Sequence, residues 1–119
     1  MKPFRELKVW QKAHEITLQV YGTTCKFPNN EMFGLTSQMR RCAASIPANI
    51  AEGCGRSGDV ELARYCQIAM GSASELEYHV LLAKDLGLIN GETYDDLSGK
   101  VVEVKKMLST FIKKLHADR

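Results

Sequence analysis

The chain is poor in the residues that most small catalytic sites are made from. Aromatics make up 8% of its 119 residues, and it has one Trp, three His and three Pro. His14, His79 and His116 are too far apart to form a paired H-x-x-x-H. A di-iron bundle needs Glu-x-x-His on two helices and further Glu from the other two. Here Glu75 and Glu77 precede His79 by four and two positions, with no second copy. No metal is therefore expected. Cys25, Cys42, Cys54 and Cys66 are 17, 12 and 12 residues apart and give no C-x-x-C, so they read as buried free thiols rather than a metal knuckle or redox pair. No apolar run approaches the roughly 20 residues of a membrane span. The opening Met1-Lys2-Pro3-Phe4-Arg5-Glu6 has no leader-like apolar stretch, so a soluble cytoplasmic protein is expected.

Phosphate-cradling and nucleophile motifs are missing as well. Gly53, Gly55 and Gly58 follow no strand and precede no Gly-Lys-Ser/Thr. No Ser or Cys carries a nucleophile signature. The acidic group Glu92, Asp95 and Asp96 is explained by the dipole of the helix it opens. No catalytic residue and no cofactor are expected, and the chain is read as a non-enzyme.

What is present is helical periodicity along one domain, residues 1–119. Val9, Ala13, Ile16 and Val20 mark a first helix from about Phe4 to Cys25, stopped at Phe27-Pro28-Asn29-Asn30. Leu35, Met39, Cys42, Ile46 and Ile50 mark a second to about Gly53, with Pro47 inside and a kink expected there. Asp59 or Ser57 is expected to cap a third, which carries Leu62, Ala69, Leu76, Val80 and Ala83 and ends before Gly87. Leu97, Val101, Val104, Leu108, Phe111 and Leu115 mark a fourth from about Gly91 to His116. Short connections make successive helices antiparallel, so the fold class is all-α, an up-down-up-down four-helix bundle.

Two polar features stand out. The second helix carries Gln38, Arg41, Ser45, Asn49, Glu52 and Arg56 at core-like spacing, and the third answers with Arg64, Gln67, Ser72, Glu75 and His79. In an antiparallel hairpin paired residue numbers share a constant total. Glu52 with Arg64 and Arg41 with Glu75 share one, which centres the turn on Gly58 and brings Gly71 near Ser45 and Gln67 near Asn49. The stripe reads first as a solvated face or register-setting network and second as the lining of an intersubunit or ligand surface. The other feature is charge. The net charge is +2, but residues 1–58 hold eight Lys and Arg against four Asp and Glu, while residues 59–119 hold eight against ten. Lys2, Arg5, Lys8 and Lys12 open the first helix, and Lys100, Lys105, Lys106, Lys113 and Lys114 lie along the last. Neighbouring first and last helices would join these into a basic surface for phosphates. A plain solvated lysine face is the competing reading, since no DNA-reading motif or aromatic stacking platform is evident.

Several runs carry a family resemblance across almost the whole chain. They are Phe4-Arg5-Glu6-Leu7-Lys8-Val9-Trp10, Phe33-Gly34-Leu35-Thr36-Ser37-Gln38-Met39-Arg40-Arg41, Ala44-Ser45-Ile46-Pro47-Ala48-Asn49-Ile50-Ala51-Glu52-Gly53 and Ile68-Ala69-Met70-Gly71-Ser72-Ala73-Ser74-Glu75-Leu76-Glu77. The chain resembles the four-helix bundle family called 23S rRNA intervening-sequence proteins, departing mildly at Ala73, where a larger apolar residue is usual. The resemblance implies a homopentamer and brings no catalytic residues. It extends to the small basic accessory proteins of diversity-generating retroelements, pentameric barrels that associate with a reverse transcriptase and nucleic acid. The leading expectation is a non-enzymatic oligomeric bundle that binds RNA or a nucleoprotein partner. The alternatives are a protein-interaction scaffold without nucleic-acid contact and a ligand-binding bundle using the polar stripe.

Overall fold

Four apolar stripes of helical period must be hidden against one another, and the computed structural model, which describes residues 2–117, shows how. Four α-helices follow in order: α1 (Lys8–Thr24), α2 (Ser37–Cys54), α3 (Gly58–Asp85) and α4 (Gly91–Ala117). Each packs on its neighbours around a ring, α1 on α2, α2 on α3, α3 on α4 and α4 back on α1. The molecule is a rod of 47 × 23 × 20 Å. No strand occurs among the described residues.

The stripes supply one continuous core. Val9, Ala13, Ile16 and Val20 of α1, Met39, Cys42, Ile46 and Ile50 of α2, Leu62, Ala69, Leu76, Val80 and Ala83 of α3, and Leu97, Val101, Val104, Leu108 and Leu115 of α4 are all buried. One residue departs from expectation. Phe111 is only half-buried, and Ile112 takes the core position. A helix turns every 3.6 residues, so a stripe counted at 3.5 drifts, and near the end of α4 the core side falls one residue later.

The first helix is shorter than expected. Phe4–Glu6 form a single 3₁₀ turn, and extended Leu7 separates it from α1. That break lets Phe4 fold back edge-on to Trp10 at 4.9 Å, with Trp10 stacked on His14 at 4.9 Å. The loop before α2 ends in a wide turn, Met32–Thr36, in which Gly34 leaves helical geometry and Phe33 is 96% exposed.

α2 runs through Pro47 from Ser37 to Cys54. Proline has no N–H, so the carbonyl of Ala43, four residues earlier, loses its helical donor. The hydroxyl of Thr17 on α1 lies 3.0 Å from that carbonyl and 3.0 Å from the carbonyl of Ala13, and its hydrogen serves both. The cross-helix contact meets the need created by the proline.

The helix ends have local causes. Ser57 precedes α3 in extended geometry but makes no side-chain cap bond, and Asp59, the other expected cap, lies inside the first turn of the helix. After α3, Gly87 adopts φ +76°, its N–H donates to Lys84 O, and Leu88 N–H donates to Ala83 O. This pair of bonds closes the helix end and needs a left-handed residue at 87. Asn90 Oδ1 accepts from Thr93 N–H at 2.8 Å and caps α4.

Candidate nucleic-acid interface and the polar seam

The nine candidate cations do not form one surface. Lys12 approaches Glu103 at 3.9 Å, and Lys100 lies 3.3 Å from Asp96 and donates to Gln19 at 3.0 Å. Lys105 faces the other way, onto Glu77 of α3 at 2.8 Å. These three lysines are engaged by carboxylates. Lys8, Lys106, Lys113 and Lys114 are exposed, and none has an ion-pair partner among the described residues. Lys8, Lys106 and Lys114 rim an open groove of about 630 Å³ whose other lining residues are Leu7, Val9, Met107, Thr110 and Phe111. The groove exists because extended Leu7 and half-buried Phe111 leave the end of the α1–α4 seam uncovered. Arg5 stacks over Phe4 at 5.2 Å. Lys2 sits beside the α2–α3 turn, its N–H donating to Cys54 O at 3.2 Å. Sequence reasoning named the lysines but not the apolar floor, since Phe111 reads as a helix-core residue and Leu7 as part of a continuous first helix.

The polar seam between α2 and α3 is partly as expected. Arg41 pairs with Glu75, so the register holds at that level. Glu52 does not meet Arg64. Glu52 instead pairs with Arg56 at 3.1 Å and Arg64 with Glu61 at 3.1 Å, each on its own helix or its immediate extension. Partners three or four residues apart are reached without spanning the seam. At this end the backbones are already close: a Cβ on Gly53 would lie 2.9 Å from both Leu62 Cδ1 and Tyr65 Cβ. Further along, Ser72 Oγ donates to Ser45 Oγ at 3.0 Å, so Ser72 rather than Gly71 faces Ser45. Asn49 Nδ2 donates to Ser45 O at 2.8 Å and to Ser45 Oγ at 2.9 Å, and Gln67 is exposed. Gln38 Oε1 accepts from Arg41 at 2.9 Å.

One grouping at this seam was invisible in the sequence. Cys42 of α2, buried directly beside Arg41 of the stripe, meets Glu75 and His79 of α3, and a single ligand-type atom from each lies within 4.8 Å of the other two. Burial pushes the Cys42 thiol up to about 12, with the nearby Glu75 carboxylate adding to the effect. His79 Nε2 is 3.2 Å from Glu75 Oε2, and its Nδ1 is buried without a hydrogen-bond partner. Cys54 and Cys66 are also buried, with Cys66 raised to about 12 by burial, while Cys25 is exposed, contrary to the expectation of four buried thiols.

No described helix is long and apolar enough to cross a membrane. No curated protein matches the chain. Among solved structures it is similar to a Bacteroides thetaiotaomicron protein of unknown function from the S23 ribosomal protein family, 26% identical, with a TM-score of 0.79 over 88% of this chain and 98% of that one. The profile of the 23S rRNA-intervening sequence protein family matches residues 5–110, which take in α1, α2, α3 and most of α4. A four-helix bundle with this sequence match is a member of the 23S rRNA-intervening sequence protein family.

Proposed function

We propose that the protein is a non-enzymatic, cytoplasmic, oligomeric bundle that binds RNA or a ribonucleoprotein through the lysine-rimmed groove between α1 and α4. The supporting observation is the sorting of cations. Lys12, Lys100 and Lys105 are held by carboxylates, whereas Lys8, Lys106 and Lys114 surround one groove with no carboxylate in ion-pair reach among the described residues. Ammonium groups so placed are free to neutralise phosphates, and affinity then comes mainly from counterion release. The apolar floor of Leu7, Met107 and Phe111 gives an unstacked base a surface to lie on. Four unpaired cysteines fit a reducing compartment.

That same floor favours a second reading, a scaffold whose partner is an acidic amphipathic helix seated in the groove. The ligand-binding reading of the polar stripe has less support, because its members largely satisfy one another across and along the seam. Binding of a single-stranded RNA oligonucleotide, followed by fluorescence anisotropy over a salt series, separates the first two. The RNA reading expects log Kd to rise with log salt at about 0.7 per phosphate contacted. It also expects Lys8, Lys106 and Lys114 changed together to Gln to weaken binding at least tenfold, and Lys12→Gln with Lys100→Gln to weaken it far less. No binding at low salt removes the RNA reading and leaves the scaffold.

A further inference from the structure

We propose that Cys42, Glu75 and His79 form a binding site for one zinc-class divalent cation, bridging α2 and α3. The three side chains supply a thiol, a carboxylate and an imidazole, the donor types that a borderline-soft cation takes in tetrahedral sites. One ligand atom from each already lies within 4.8 Å of the others, and His79 Nε2 is 3.2 Å from Glu75 Oε2. A tetrahedral zinc with one sulfur ligand needs neighbouring donors about 3.3–3.6 Å apart. The His79–Glu75 separation is already close to that spacing, and the Cys42 thiol on the neighbouring helix lies within 4.8 Å of both.

Two further observations support a cation here over a purely structural polar cluster. His79 Nδ1 is buried with no partner, although its side chain is only 14% exposed. Buried polar atoms are nearly always satisfied, and one that is not needs a cause. With Nε2–H donating to the Glu75 carboxylate, Nδ1 carries a lone pair that no protein donor meets. The second observation is access. The Glu75 side chain is 38% exposed, so the cluster opens to solvent on one side, where water can complete the coordination.

Arg41 is the competitor. Its guanidinium pairs with the Glu75 carboxylate that the cation needs. It is also 57% exposed and holds Gln38 Oε1 at 2.9 Å, so it has an alternative partner when Glu75 turns to the metal. The Cys42 thiol gives its proton to solvent as the metal–sulfur bond forms, so one proton leaves per ion bound. The filled site ties the N-terminal part of α2 to the C-terminal half of α3 through metal–ligand bonds and releases Arg41 to the surface.

The test is titration of the full-length, reduced chain with Co²⁺, read by the near-ultraviolet thiolate-to-cobalt charge-transfer band and by displacement with Zn²⁺. The expected result is one Co²⁺ per chain, a band retained in Cys25→Ser and lost in Cys42→Ser and His79→Gln, and at least threefold tighter binding in Arg41→Gln. Circular dichroism checks that each variant stays helical. A band that survives Cys42→Ser, or that disappears in Cys25→Ser, assigns binding to another thiol and overturns the proposal. The absence of a band in the native chain at millimolar Co²⁺ also overturns it, even if Arg41→Gln gains one, because the ion pair then outcompetes the metal.

Discussion

Thr17 shows how one side chain carries the consequence of another on a different helix. Pro47 strips the Ala43 carbonyl of its donor, and the Thr17 hydroxyl replaces it from α1. Thr17→Val keeps the shape and removes the hydroxyl, leaving the buried Ala43 carbonyl unmet, at a cost of about 1–3 kcal/mol. Thr17→Ser keeps the donor and costs less. Urea unfolding of the three chains is the check, and equal losses in Val and Ser variants would show that packing, not the hydrogen bond, matters at 17. Asp96 gives a second prediction. The Gln19 amide hydrogen bond first, and the Lys100 hydrogen bond next, hold its carboxyl below the ordinary aspartate value. A depressed folded-state value means the interaction is fully present above the unfolded aspartate value and is lost as pH falls through the lower folded one. In an NMR-monitored titration Gln19→Ala raises the Asp96 midpoint, and an unmoved midpoint would remove Gln19 as the cause.

Among the elements, helix termini were only partly visible beforehand. Gly87 was readable as the stop of α3, because a glycine directly after an apolar stripe is the usual left-handed terminator. Gly87→Ala must place a Cβ at φ +76°, and a destabilisation of about 1–2 kcal/mol is expected in thermal or urea unfolding. A loss below a few tenths of that would mean that the terminus rearranges. The start of α1 was not readable. Nothing in Phe4-Arg5-Glu6-Leu7 signals a break, and it is the packing of Phe4 on Trp10 that rewards the extended Leu7. The groove follows from that break, so the candidate interface depends on a tertiary choice. The polar seam divides in the same way. Arg41 and Glu75 meet because register alone brings them together, while Glu52 and Arg64 find cheaper partners three and four residues away.

On the scale of the molecule, the surface asks for company. Phe33 is 96% exposed and Leu18 60%, with Val60, Tyr78 and Leu86 also outside the core. Scattered apolar groups are ordinary on a monomer, but an almost fully exposed Phe suits an interface. We expect a homopentamer in solution, as the family resemblance implies. Native mass spectrometry and sedimentation should give five chains, and Phe33→Ser should lower the assembly's stability at micromolar concentration. A concentration-independent monomer would remove the oligomeric part of the proposed function.

The amino-acid order by itself determined the four helices, their antiparallel course and most of the core positions. Burial of a 3.6-residue stripe is a local pattern, and short connections make successive helices antiparallel. Tertiary structure alone decided which lysines stay unpaired, where the apolar groove opens, and that Cys42 sits against Glu75 and His79. Those outcomes depend on side-chain distances across helix seams, and spacing along a single helix holds no information about what the neighbouring helix presents.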